Sequence, residues 1–122
     1  MNKEKLIRDL CARLPYGVKV LYDNKVFSID YVSSIHEEIK LDTRDNYTIN
    51  VSDVKPYLFP LSSMTEEQKM FLRQQNWCIA ISTSGTIETT VEGIDWLNKN
   101  HFDVNNLIPI GLAIDATGLN IY

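Results

Sequence analysis

Two prolines, Pro56 and Pro60, stand four residues apart in the run Ser52-Asp53-Val54-Lys55-Pro56-Tyr57-Leu58-Phe59-Pro60-Leu61-Ser62-Ser63-Met64. Each lacks a backbone N–H and fixes φ at about −65°, so neither suits the interior of a helix or of a central strand. The run is therefore expected to be a turn followed by an extended crossing. Tyr57, Leu58, Phe59 and Leu61 lie inside it and are too apolar for an ordinary solvated loop, so the crossing should be packed on the parts of the chain it joins. Alternation aims Tyr57 and Phe59 to one side and Leu58 to the other. Phe59 is expected to be buried, and Tyr57 to be exposed in part at its hydroxyl.

Patterning changes period at this crossing. Before it, Leu6, Ile7, Leu10, Cys11 and Leu14 recur at steps of three and four, which predicts a helix from Lys3 to Leu14 with Asn2 as N-cap and a stop before Pro15. Val18 to Asp23, Lys25 to Ile35, Glu37 to Asp42 and Tyr47 to Val51 read as short strands, with turns at Asp23-Asn24 and Arg44-Asp45-Asn46 and a break in alternation near Ser33-Ser34. Closed by a 3₁₀ turn at Ser52 to Lys55, this half has the pattern of a small antiparallel sheet or SH3-like barrel, a fold-level analogy that fixes no activity.

After the crossing, Thr65-Glu66-Glu67-Gln68 is a capping box that opens a helix from Glu66 to about Gln75, with Met70 and Phe71 expected inward and Asn76 as its stop. Trp77 to Thr83 is β-rich and ends at a Ser84-Gly85 turn. Thr89 and Glu92 offer a second box, for a helix whose Val91, Ile94, Leu97 and His101 share a face and which Asn100 closes. Gly93 inside it is about 1 kcal/mol worse than Ala unless something packs closely there. Asp103 can cap one further turn, and residues 107–114 form an apolar stretch readable as strand or helix. The expected fold is α+β in a single domain, 1–122: a helix and β part over 1–51, the crossing over 52–64, and a mostly helical part over 65–122 with a short β element.

With 44% hydrophobic and 23% charged residues, 122 residues suffice for one core. A net charge of −4 argues against a nucleic-acid backbone as the main partner, since phosphate neutralisation draws on a Lys/Arg surplus. The most basic window, Lys3 to Arg13, also holds Glu4 and Asp9 and reads as a solvated helix face. Cys11 and Cys78 stand apart among apolar neighbours and fit buried free thiols rather than a zinc site or disulfide. No signal peptide and no apolar run long enough to span a bilayer is expected, which places the protein in the cytoplasm.

Three stretches, Leu14-Pro15-Tyr16-Gly17-Val18, then Val54 to Thr65, then Asp95-Trp96-Leu97-Asn98 leading to His101-Phe102-Asp103 and Gly111-Leu112-Ala113, carry a resemblance over most of the chain. In them the sequence resembles a group of small uncharacterised proteins of Bacteroidales gut bacteria and their phages and prophages. The resemblance implies a mobile-element or host-interaction setting and brings no activity with it.

For chemistry, His101 with Asp103 is the one enzyme-like pair, since a carboxylate can orient an imidazole and raise its pKa for general-base work. The plainer reading is a histidine at a helix end beside an N-cap aspartate. His36, Glu37 and Glu38 are sequential on an expected strand and point to opposite faces, so no metal site is expected. No glycine-rich phosphate loop occurs, and no cofactor is expected. Among the aromatic residues, Tyr16, Tyr57 and Trp96 are the candidates for a partner-docking surface, Trp96 because it lies off the helical stripe. The expected function is a non-enzymatic protein-binding or adaptor module of a phage or other mobile element, with an unidentified protein partner. The alternatives are a nucleic-acid-binding accessory protein and a small enzyme using His101 and Asp103.

Overall fold

The structure, a computed structural model, describes residues 2–43, 48–81 and 87–122, with backbone alone at 2, 78–81 and 87. In chain order the elements are α1 (Asn2–Arg13), β1 (Lys19–Tyr22), β2 (Lys25–Ser33), β3 (Glu38–Leu41), β4 (Ile49–Asn50), β5 (Lys55–Leu58), α2 (Glu66–Gln74), β6 (Cys78–Ile81), β7 (Ile87–Thr89), α3 (Val91–Lys99) and β8 (Ile114–Asp115). The fold is α+β. The expected turns at Arg44-Asp45-Asn46 and Ser84-Gly85, the Tyr47 end of the fourth strand and the burial of Cys78 lie outside the described residues.

α1 begins at Asn2 and gives way at Leu14–Tyr16 to a 3₁₀ turn, where Pro15 occupies a first-turn position that uses no N–H. Gly17 then leaves in the left-handed region at φ 75°. Leu6, Ile7 and Leu10 are buried as the periodicity requires. Cys11, expected on the same stripe, is exposed, and the inward face instead includes Asp9 and Arg13. Four residues apart on one helix face, these two neutralise each other, which lets the most basic window of the chain send an arginine into the core.

β1 and β2 form a hairpin whose two-residue loop, Asp23 and Asn24, takes φ of 51° and 61°. Both values suit the primed turns that match strand twist. The ladder irregularity of β2 falls between Ile29 and Tyr31 rather than at Ser33-Ser34. The sheet has six strands in the order β4-β3-β2-β1-β5-β8, and it is open rather than closed into an SH3-like barrel. The crossing explains the difference: it carries the chain to the far side of β1, where β5 pairs antiparallel with β1 and β8 adds in parallel.

Pro56 thus sits in a strand with neighbours on both sides, contrary to the expectation for a proline. Backbone groups two residues apart in a strand point the same way, and the Leu58 carbonyl accepts the Ala116 N–H on the β8 side. The Pro56 nitrogen also faces that side, and β8 begins to pair only at Tyr57. The missing donor therefore has no ladder position to fill.

α2 opens with the expected capping box: the Gln68 N–H donates to Thr65 Oγ1 at 3.1 Å and the Thr65 N–H donates to Gln68 Oε1 at 2.9 Å. Its inward residue is Leu72, while Met70 and Phe71, expected inward, are exposed. α3 is capped by Thr90, whose hydroxyl oxygen accepts from the Gly93 N–H at 3.2 Å, rather than by Thr89. The Thr89 hydroxyl donates instead to the Trp77 carbonyl. A Cβ at position 93 would meet the Thr89 hydroxyl first and lie 2.7 Å from the Trp77 carbonyl, so the hairpin of β6 and β7, which pair antiparallel, packs closely on Gly93 where it adjoins Trp77. The buried face of α3 is consequently centred on Gly93 and Leu97, and Val91 and Ile94, expected inward, are exposed.

Two buried clusters result. One lies between α1 and the sheet and includes Leu6, Leu10, Val20, Ile39, Val54, Leu58 and Leu107. The other joins Leu61 and Met64 to Leu72, Leu97 and Phe102. The crossing runs from the first to the second. Its Phe59 exchanges backbone bonds with the far segment, accepting at its carbonyl from Asp103 and donating to the His101 carbonyl, both at 2.8 Å. Residues 107–114 do not stay buried, since Ile110 is exposed, and they end in the strand β8.

Candidate functional site

The bonds to Phe59 set the positions of His101 and Asp103. α3 ends at Lys99 with Asn100 as its C-cap, and His101 follows at φ 65°, a left-handed position where glycine is the unstrained residue. Asp103 is buried, and its carboxylate accepts from the Leu107 N–H at 2.8 Å and the Ile108 N–H at 2.9 Å. Both oxygens therefore hold the turn that leads towards β8. The structure does not join the two residues into a dyad: His101 Nδ1 is buried without a hydrogen-bond partner. Burial first, and the nearby Arg13 charge second, lower the imidazole pKa to about 4, so it is neutral at pH 7. A general base in this position would be a weak one.

Arg13 lies on the inner side of this region. Its Nε donates to Asp9 Oδ2 at 2.7 Å and its Nη2 to Asp9 Oδ1 at 3.1 Å, and Nη2 also reaches the Phe102 carbonyl. Asn105 Nδ2 donates to Asp9 Oδ1 at 2.8 Å. The pair thereby ties α1 to the segment that carries His101.

On the outer side, His101 stacks on Tyr122 with centroids 3.6 Å apart and planes at 10°. Both line an open cleft of about 530 Å³ whose walls include Phe59, Thr65, Lys99 and Thr117. From Tyr122 a series of ring contacts leads away from the cleft: Tyr122 to Phe59 at 5.9 Å, Phe59 to Phe102 at 6.2 Å, Phe102 to Trp96 at 5.9 Å and Trp96 to Phe71 at 5.9 Å. Phe71 also meets Trp77 edge-on at 5.8 Å.

The aromatic candidates are distributed unevenly along this framework. Trp96 is half-buried within the series, stacked between Phe71 and Phe102. Tyr16 is exposed on the 3₁₀ turn after α1 and takes no part in the series of ring contacts. Tyr57, expected to keep its hydroxyl end at the surface, is buried at 7% exposure, because β5 lies between β1 and β8. Phe59, expected to be buried, is half-buried at the cleft. Among the described residues no helix is long and apolar enough to cross a membrane. No family model matches the chain, and neither a curated protein nor a solved structure matches it.

Two residues of the site were not singled out from sequence. Phe71 had a signal, its place on an amphipathic helix, but that signal pointed inward. Tyr122 had none, since nothing local tells where a residue so far along the chain returns to the sheet.

Proposed function

We propose that the protein is a non-enzymatic protein-binding module that docks an apolar segment of a partner protein on Met70 and Phe71 of α2. The observation that carries this reading is that Phe71 is 39% exposed while its ring is held by Trp96 and Trp77, and that Met70, one residue before it, is 56% exposed. An exposed aromatic ring already fixed by its neighbours loses little side-chain freedom on binding, which is the character of an interface anchor. The absence of a His101–Asp103 hydrogen bond supports binding over catalysis. The mobile-element setting implied by the sequence resemblance makes a cytoplasmic host protein the expected partner.

The test is capture from host lysate by tagged wild type, Met70→Ser and Phe71→Ser, with an unrelated acidic domain as control, followed by titration of the purified captured protein. The reading expects both variants to weaken binding about tenfold or more with little change in melting temperature for Met70→Ser. Equal binding by all three proteins would remove the docking face, and a salt-sensitive shift of nucleic-acid probes would favour the nucleic-acid alternative.

A further inference from the structure

We infer that residues 117–122 form a hinged strap that opens and closes over the cleft as a unit, with the Tyr122 hydroxyl as its latch. The argument starts from the ladder between β1 and β5. Val20 faces Pro56 and Leu21 faces Lys55, so one further step sets Lys19 opposite Tyr57. An antiparallel ladder would bond the Lys19 N–H to the Tyr57 carbonyl at that step. Instead the Lys19 N–H donates to Tyr122 Oη at 2.9 Å, and the Tyr122 hydroxyl donates to the Tyr57 carbonyl at 2.6 Å. A side-chain hydroxyl thus takes both ends of one ladder position. Burial raises the Tyr122 pKa to about 12, which keeps this donor protonated.

The same backbone groups can be satisfied in a second way. If Tyr122 withdraws, the Lys19 N–H and the Tyr57 carbonyl can close directly on each other. Neither arrangement leaves the Lys19 N–H or the Tyr57 carbonyl without a partner, so both can serve as states of a two-state element.

The rest of the strap is lightly held. Thr117 to Asn120 are exposed, and Gly118 and Asn120 sit at φ 77° and 54°, the two hinge positions. The Thr117 N–H donates to Asp115 Oδ1 at 2.9 Å and the Leu119 N–H to the Ala116 carbonyl at 3.1 Å, so both bonds stay at the base of the strap. Beyond Leu119, the hydrogen bonds and ring contacts among the described residues are those of Tyr122 alone. Thr117, Gly118 and Tyr122 form one wall of the cleft, so opening would widen it and uncover the face of the His101 imidazole.

Relaxation-dispersion NMR on the full chain tests this, with Tyr122→Phe and Tyr122→Ala as variants. The expected result is exchange at one shared rate, confined to residues 117–122, the Lys19 amide, the Leu58 amide that shares a peptide group with the Tyr57 carbonyl, and the His101 and Phe59 rings. The open state should be the minor one, and Tyr122→Phe, which keeps the ring and removes the latch, should raise its population about tenfold. Tyr122→Ala should move the same resonances to the minor-state positions of the wild type. Three results would overturn the inference: no exchange in either wild type or Tyr122→Phe, an unchanged population in Tyr122→Phe, or a shared rate that extends across the sheet to β2 and β3. Should Tyr122→Ala fail to fold, Tyr122→Phe alone decides.

Discussion

His101 combines a left-handed backbone, an imidazole stacked on Tyr122 and a buried, unpartnered Nδ1, and its burial, with the Arg13 charge second, favours the neutral ring. The stability consequence has a definite sign. The unfolded chain takes up the proton near pH 6.5, whereas the folded protein resists it until about pH 4. Stability from this group is complete above pH 6.5, falls as the pH drops from 6.5 towards 4, and levels off below. The ring is only half-buried, so the loss should be roughly 1 to 2 kcal/mol, less than the full shift would give. Denaturant melts of wild type and His101→Gln across that range would measure it as the difference between two pH profiles; parallel profiles would refute it. Asp9 and Arg13 present the other residue-scale case. Their spacing was legible as a helical pair, but their burial was not, because the Phe102 carbonyl and the Asn105 amide that bond to them lie far along the chain. Asp9→Asn should destabilise the protein by about 3 to 5 kcal/mol, since it strands a buried guanidinium, whereas the double change Asp9→Leu with Arg13→Met should be much milder. A double-mutant cycle by urea denaturation checks the ordering.

At the scale of elements, α2 and α3 had legible positions, and α2 a legible cap, but their faces misled and the cap of α3 fell one residue later than expected. Thr65 and Gln68 announce the start of α2 because a capping box is local chemistry. The inward face of α3 is set by something no helical wheel contains, the approach of the Trp77 carbonyl to Gly93. The hydroxyl of Thr89, the expected cap, is drawn to that same carbonyl, which leaves Thr90 as the cap. Gly93→Ala decides between propensity and packing. Helix propensity alone predicts a gain of about 1 kcal/mol, while forcing a methyl against a backbone oxygen should cost about 1 to 3 kcal/mol beyond that gain. The expected outcome is a lower melting temperature for Gly93→Ala, and a higher one would show that the hairpin yields. The sheet carries a parallel lesson. Its hairpin was legible from turn residues, and its 3₁₀ turn, expected at Ser52 to Lys55, lies at Val51–Asp53 because Lys55 already belongs to β5, but its openness was not legible, because β8 joins β5 from far along the sequence.

For the whole molecule, the crossing sends side chains into both clusters, Leu58 into the first and Leu61 and Met64 into the second, as does the segment after α3 with Phe102 in the second and Leu107 in the first. The Phe59 backbone bonds and the Arg13 bond to the Phe102 carbonyl add two further ties between the halves. With two clusters so joined, unfolding one should expose apolar surface of the other, and the chain should melt as a single unit. Trp77 and Trp96 both pack on the second cluster, so tryptophan fluorescence reports that half, while amide exchange of β1 to β3 reports the sheet. The prediction is that both probes give one transition. Leu58→Ala, a cavity at a fully buried position of the first cluster, should move both by the same amount, about 2 to 5 kcal/mol. If the fluorescence transition stays in place while the sheet loses protection, the crossing joins two independently stable parts. Phe59→Ala should then lie below Leu58→Ala, because Phe59 is half-buried at the cleft and part of the space it leaves is open to water.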